Sequence, residues 1–119
     1  MPTMNTVIEE LEGLKPNVVP DETKMKWIAD LDGLISVQVH MAETPQGYAI
    51  PDDADRELLV GAPFDDIYVL YCSAMVDFYN REYNNYNFSV SVFNDRLDAY
   101  RAYYIQRHPS CKAGNFRNV

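Results

Sequence analysis

The residue types that bind metals or move protons are few in this chain, and their spacing completes no site. His40 and Glu43 stand three residues apart, which is the spacing of half of a carboxylate-bridged di-iron site, although in the reverse order. Such a site needs a second pair on a facing helix, and the sequence holds none. His108 stands beside Pro109, where a helix ends and an imidazole suits the negative pole. We therefore predict no metal role for either histidine.

A run of alternating acids is the nearest approach to a calcium loop. Asp53, Asp55 and Glu57 have the spacing of the first ligands of such a loop. The glycine required at the sixth position is missing, and Phe64 occupies the twelfth, where the loop requires a bidentate glutamate. The run is predicted to be a solvated acidic loop. A divalent-ion site completed by a neighbouring subunit stays open as an alternative.

Nucleophilic catalysis has equally little support. Cys72 lies within a periodic apolar segment, where burial raises the pKa of a thiol, so a packing role is predicted. Cys111 lies in a polar tail, and the two spacings suggest neither a disulfide nor a zinc site. A small helical enzyme could use Asp65, Asp66 and His40 as its acids and base, but the sequence gives no indication that these side chains form a pair. The sequence has no Gly-rich phosphate loop and no nucleophile elbow, so we predict that the protein is not an enzyme.

The length and composition indicate one small domain. The chain has 119 residues, of which 47% are apolar, and that is enough to bury one core without metal or disulfide support. We place this domain at residues 1–109 and a flexible tail at 110–119. The first residues lack the basic and apolar regions of a secretion signal, and no apolar run is long enough to span a bilayer. We therefore expect no membrane association and a reducing cytoplasm.

The net charge of -8 is unevenly distributed along the chain. Residues 1–62 hold twelve acids and four bases, residues 63–107 hold six acids and four bases, and the tail carries only Lys112 and Arg117. These segments contribute -8, -2 and +2, so the excess of negative charge lies in the N-terminal half. Binding of duplex DNA through its phosphates is therefore not expected.

Apolar spacing of three and four residues predicts an all-α fold that starts with two N-terminal helices. The first should begin near Asn5 or Thr6, with Thr6 and Glu9 forming a capping box. The second should start at Asp21, whose carboxylate would cap it, and run to about Ala42. A long irregular loop, residues 43–62, should follow.

Two long C-terminal helices are predicted after this loop. Pro63 at a first helical position, with Asp65 and Asp66 in the first turn, should start the third helix. Asn84, Asn85 and Asn87 are the one weak point in the apolar stripes that follow. We favour two helices, near 63–83 and 87–107, that form a hairpin. One continuous kinked rod is the alternative.

Tyrosine is the most unusual component of the chain. Eight of the nine tyrosines lie between Tyr68 and Tyr104, more phenols than one small core readily buries. They either line a broad hairpin seam that partly reaches water or form a subunit contact, which the amphipathic phenol suits. We favour the contact and name Tyr79, Tyr83 and Tyr86 as its residues. In the tail, Lys112, Phe116 and Arg117 are the residues suited to anchoring on a partner.

Several short motifs, in their order along the chain, are similar to those of one protein family. They are Val7-Ile8, Leu14-Lys15-Pro16-Asn17, Lys26-Trp27-Ile28-Ala29-Asp30-Leu31-Asp32, Leu59-Val60-Gly61-Ala62-Pro63-Phe64-Asp65-Asp66-Ile67-Tyr68 and Asp77-Phe78-Tyr79-Asn80-Arg81-Glu82, followed by Asn87, Phe93, Asn94, Tyr100 and Tyr103-Tyr104. Over roughly residues 5–108 the chain resembles the small head-to-tail connector proteins of tailed phages and prophages of Gram-positive hosts, also called head completion or adaptor proteins. In that group a proline-started helix ends in an aromatic and Asn-Arg-Glu-like turn, before a Tyr-Asn-rich segment and a last helix.

The resemblance implies a structural protein of the virion that is assembled in the host cytoplasm and needs no cofactor. Proteins of this group form rings on the portal protein at the capsid vertex, where they extend the DNA channel and offer a platform to the next tail or stopper component. An acidic channel wall lets DNA pass without binding it. A head-to-tail ring needs two different complementary patches on each subunit. The candidates are the loop, with Asp52, Asp53 and Asp55, and the tyrosine-rich hairpin.

An acidic inhibitor that mimics DNA is the competing interpretation. The sequence pI near 4.5 is compatible with it. A mimic needs a dense acidic face, however, whereas most acids in this chain alternate with apolar positions on amphipathic helices.

Overall fold

The computed structural model describes residues 2–108, and the chain forms four helices there. They are α1 (Met4–Leu14), α2 (Asp21–Gln38), α3 (Asp66–Tyr79) and α4 (Tyr83–Arg107). The predicted all-α class, with two N-terminal helices, a long loop and two C-terminal helices, is confirmed. The predicted tail, residues 110–119, lies outside the described residues.

Helix α1 starts earlier than its predicted capping box. Thr3 is the N-cap, and its hydroxyl accepts a hydrogen bond from the Thr6 amide at 3.2 Å, while the Thr6 hydroxyl accepts from the Thr3 amide at 2.9 Å. The predicted pair of Thr6 and Glu9 is therefore wrong. An antiparallel bridge to Glu57 holds Thr3 in the extended conformation that an N-cap residue needs.

Helix α2 is shorter than predicted, and its start is not capped by a side chain. Asp21 is the first helical residue and not the cap, because the Pro20 carbonyl already accepts the amides of Thr23 and Lys24. The helix ends at Gln38 and not near Ala42. Beyond it the Ala42 amide bonds back to the carbonyl of Ser36, and Met41 takes a φ of 60°, so the chain turns away from the helix axis.

The C-terminal helices form a hairpin whose turn is not where the sequence suggested. The chain breaks at Asn80, Arg81 and Glu82, where Arg81 has a φ of 60° and the Glu82 amide bonds back to the carbonyl of Asp77. The predicted break at residues 84–87 is wrong, since these asparagines lie in the exposed first turns of α4 and need no apolar partner there. The predicted start at Pro63 is also wrong, because residues 62–65 form a turn and α3 begins at Asp66.

Helix α3 is the centre of the domain and runs antiparallel to α4. The Tyr71 ring packs at a tilt against Phe93, with 5.1 Å between ring centroids, and Arg96 on α4 bonds to Asp66 at the start of α3. Helices α1 and α2 pack on α3 from the other directions, while α4 packs mainly against α3 alone. The core consists of buried apolar residues from all four helices and the loop: Met4, Val7, Leu11, Ile28, Leu31, Ile35, Leu58, Val60, Ile67, Cys72, Val76, Phe93 and Tyr100. Only two residues of α4, Phe93 and Tyr100, are fully buried, so most of this helix faces outward.

Candidate functional site

Aromatic side chains gather on the surface at the α3–α4 turn. Phe78, Tyr79 and Tyr83 are each about half exposed, at 52%, 51% and 53%. The Phe78 ring contacts Tyr83 at 6.0 Å and Tyr86 at 5.4 Å between ring centroids. Three predicted interface residues, Tyr79, Tyr83 and Tyr86, are therefore brought to the same end of the hairpin.

A shallow groove lies beside these rings, between α2 and the turn. We call it the turn surface, and its residues are Thr23, Trp27, Met75, Phe78, Tyr79, Arg81 and Tyr83. Trp27 is partly buried and reaches the groove from α2. Aromatic and arginine side chains are the types enriched in the centres of protein interfaces. The turn surface therefore has the side-chain composition of a binding surface.

The acidic residues of the loop lie elsewhere and partly serve the fold. Asp53 accepts a hydrogen bond from the Ala49 amide at 2.7 Å and lies 3.6 Å from the Arg56 guanidinium. Asp55 accepts from the side chain of Asn5 at 2.6 Å, while Asp52 is exposed. This part of the loop contacts the start of α1, and none of its residues lines the turn surface.

The acidic run does not form a metal site among the described residues. Asp53 and Asp55 have different partners, an arginine and an asparagine. Across residues 2–108, no group of three or more His, Cys, Asp or Glu side chains is placed to hold a metal ion. None of the four described helices has the length and apolar character needed to cross a membrane. The predicted tail residues Lys112, Phe116 and Arg117 lie outside the described residues.

The predicted burial of Cys72 is confirmed. Its side chain is fully buried in α3, and this burial raises the pKa of its thiol to about 12. A thiol that stays protonated at neutral pH is a poor nucleophile, which agrees with a packing role.

A buried carboxylate, Asp32, organises the loop, and the sequence analysis missed it. Asp32 is fully buried and accepts three hydrogen bonds: from the Tyr68 hydroxyl at 2.5 Å, the Tyr48 hydroxyl at 2.6 Å and the Leu59 amide at 3.0 Å. The Tyr68 hydroxyl also accepts from the Val60 amide at 2.9 Å. Burial is the main cause that raises the pKa of both tyrosines, so both stay protonated and donate to Asp32. A sequence signal existed, because Asp32 follows Ile28 by four residues and precedes Ile35 by three on the buried stripe.

Two further buried charges join the helices. Asp77 on α3 is almost fully buried and accepts from Lys15 Nζ at 2.8 Å and from the Ser89 hydroxyl at 2.8 Å, so it links α1, α3 and α4. Lys24 on α2 is also buried and pairs with Glu12 of α1. Both pairs hold the helices in register, because a charge buried without its partner is strongly destabilising.

Aromatic and histidine rings stack on one another at the end of the hairpin opposite the turn. The His40 ring, just beyond α2, stacks on Tyr104 at 4.2 Å, and Tyr104 stacks on His108 at 3.8 Å. His40 Nε2 also lies 2.6 Å from the Tyr100 hydroxyl. Both histidines are therefore ring partners of tyrosines here.

The residues and their arrangement define a small all-α domain with an exposed aromatic surface at one end. Compared with models of known protein families, with curated proteins and with solved structures, the chain matches none of them.

Proposed function

We propose that the protein is a head-to-tail connector of a tailed phage, a structural subunit that forms a ring on the portal. The observation that carries the proposal is the turn surface, where aromatic side chains and an arginine are exposed together at one end of the hairpin. Apolar side chains that are exposed together, with polar groups beside them, are a feature of protein–protein contact sites. The resemblance in motif order to head-to-tail connector proteins suggests that the partner is another copy of the chain or the portal protein.

The partners in this proposal are other copies of the chain, the portal protein and the next tail or stopper component. DNA passes through the ring without specific binding, because negative groups on a channel wall remove the counterion release that would hold phosphates. The distribution of charge supports this role, since the excess of acids lies in the N-terminal half and many of them, such as Glu9, Glu10 and Glu22, are exposed. The proposal gives the chain no catalytic step and no cofactor.

The test is light scattering after size-exclusion chromatography of the full chain, alone and mixed with the portal protein of the same phage. A closed ring, or co-elution with the portal, is the expected result. Failure of both at high concentration would contradict the proposal and favour the acidic inhibitor, whose partner would be a nucleic-acid enzyme. Deletion of residues 110–119 tests the tail: we expect weaker ring formation or portal binding, because Lys112, Phe116 and Arg117 are lost.

A further inference from the structure

The α3–α4 hairpin carries a second exposed apolar surface on the side opposite the turn surface. This surface is built around Phe88, which is 73% exposed. We call it the Phe88 face, and its residues are Lys15, Leu70, Ser73, Asn85, Phe88, Ser89 and Val92, which line a groove between α1, α3 and α4.

Helix geometry places the two surfaces back to back. At 100° per residue, two positions nine residues apart lie on opposite sides of a helix. Leu70 of the Phe88 face and Tyr79 of the turn surface are nine apart on α3, and Tyr83 and Val92 are nine apart on α4. A subunit with two different binding patches on opposite faces is the unit from which head-to-tail rings are built, because each copy offers one patch to each neighbour.

Charges of opposite sign lie at the two surfaces. Arg81 lines the turn surface and is exposed, with Glu82 exposed beside it. Asp95 is exposed near the Phe88 face, seven residues beyond Phe88 on the same side of α4. The lining of the Phe88 face itself includes Lys15, in its pair with Asp77. Neither Arg81 nor Asp95 forms an ion pair within residues 2–108, so each is available to a charge on another molecule.

We propose that the turn surface of one copy binds the Phe88 face of the next copy, with the Phe88 ring in the aromatic groove and Asp95 paired to Arg81. The inference rests on the proposed function and specifies its subunit contact. The pairing is heterologous, so every copy uses both surfaces, and repeated addition gives a ring where the rotation between successive copies closes a circle. In this pairing the tyrosine-rich turn forms one side of the contact and α4 forms the other. The second patch is therefore on α4 and not on the acidic loop that the sequence suggested.

Two variants that each remove one surface test the pairing. Arg81→Glu places an acid in the turn surface but leaves the Phe88 face intact, and Phe88→Asp does the reverse. Each variant alone should assemble more weakly. We expect its apparent dissociation constant to rise at least tenfold, which corresponds to roughly 1.4 kcal/mol of binding free energy. Mixed together they should form a 1:1 dimer and nothing larger, since only one productive contact remains between them.

A charge exchange tests the specific pair. Asp95→Lys should impair assembly as Arg81→Glu does, and the double variant Arg81→Glu, Asp95→Lys should recover it. Glu10→Lys, an exposed reversal on α1, is the matched control and should assemble like the wild type. Circular dichroism and thermal unfolding of each variant would establish that the fold is intact.

The measurements are sedimentation velocity and light scattering of the full chain up to millimolar concentration, and again with the portal protein present. The pairing would be overturned if the mixture of the two variants stays monomeric or if either single variant assembles normally. A wild-type ring on the portal would still support the connector function in that case. A wild-type chain that stays monomeric in every condition and does not bind the portal would overturn both.

Discussion

His40 Nε2 lies 2.6 Å from the hydroxyl oxygen of Tyr100, a contact that joins the end of α2 to the last third of α4. Burial raises the pKa of Tyr100 to about 12, so its hydroxyl keeps the proton at neutral pH. Burial lowers the pKa of His40, so the imidazole is neutral at pH 7 and its Nε2 shares a hydrogen bond with the hydroxyl. The charge of Asp32 opposes that lowering, and the nearby His108 adds to it.

This contact predicts a loss of stability on mild acidification. Because the pKa of His40 is lower in the folded chain than its ordinary value of 6.5, the unfolded chain takes up the proton first. The contribution of His40 is fully present above pH 6.5 and is lost as the pH falls towards the folded pKa, with a slope of at most about 1.4 kcal/mol per pH unit.

Thermal unfolding at pH 7, 6 and 5 checks this expectation. His40→Gln keeps an acceptor for Tyr100 but cannot titrate, so its melting temperature should fall less with pH than that of the wild type. His108→Gln removes a charge that lowers the pKa of His40, so its pH profile should lie between those of the wild type and His40→Gln. Parallel pH profiles for the wild type and His40→Gln would mean that His40 does not govern the acid response.

Asp32 should be among the residues whose loss destabilises the domain most. Asp32→Ala leaves two buried phenols and the Leu59 amide without their acceptor, at a cost of about 1–3 kcal/mol for each unsatisfied group. We expect Asp32→Ala to lower the free energy of unfolding, measured with urea, by roughly 3 kcal/mol or more. Asp30→Ala, on the same helix but exposed, should cost less than about 0.5 kcal/mol. Similar midpoints for both variants would contradict the anchoring role of Asp32.

The sequence was sufficient to predict the helices because their apolar residues repeat at three and four positions, although α4 buries only Phe93 and Tyr100 of its stripe. Ile28, Leu31 and Ile35 repeat at three and four residues, and all three are buried as that period requires. Helix ends were predicted less well, because they depend on contacts made after folding. Thr3 caps α1 only because the chain at Glu57 pairs with it, and that residue is more than fifty positions away.

The candidate site was predicted in part. Tyr79, Tyr83 and Tyr86 do lie at one end of the hairpin, since the helical period places aromatic residues near the turn together. The groove beside them was not foreseen, because Trp27 belongs to another helix and periodicity carries no information on which helices become neighbours. The polar partners of Asp32 were missed for the same reason: the carboxylate could be placed on the buried stripe, but Tyr48 and Tyr68 could not be assigned to it.

The pair of Lys15 and Asp77 should contribute more to stability than an exposed ion pair of the same type. Lys15→Met leaves Asp77 buried with only the Ser89 hydroxyl as a side-chain donor, and since Lys15 is partly exposed we expect a loss of about 1–2 kcal/mol. Lys26→Met breaks a pair with Asp30 in which both side chains are more than half exposed, and it should change stability by less than about 0.5 kcal/mol. Equal effects in urea unfolding would argue against a structural role for the buried pair.

Cys72 should be protected from alkylation for as long as the domain is folded. Its thiol is buried and has a pKa of about 12, so the thiolate is scarce and out of reach of a reagent at pH 8. In a Cys111→Ser background, where Cys72 is the only thiol, iodoacetamide should react slowly in buffer and rapidly in denaturing urea. Fast labelling under native conditions would show that α3 opens more readily than its burial implies.

The acidic loop can be separated into residues that hold the fold and residues that are free to meet a partner. Asp52 is exposed, so Asp52→Lys should leave the unfolding free energy within about 0.5 kcal/mol of the wild type. Asp53 bonds to the Ala49 amide and lies near Arg56, so Asp53→Lys should lower the melting temperature, while Asp53→Asn keeps an acceptor and should lower it less. If the loop is part of a subunit or portal contact, the double reversal of Asp52 and Asp53 weakens assembly by more than the loss of stability accounts for.

The decisive variant is Asp52→Lys, because it changes the charge of the loop without disturbing the fold. Unchanged ring formation and unchanged portal binding would exclude the loop from the interface and leave both contacts to the hairpin.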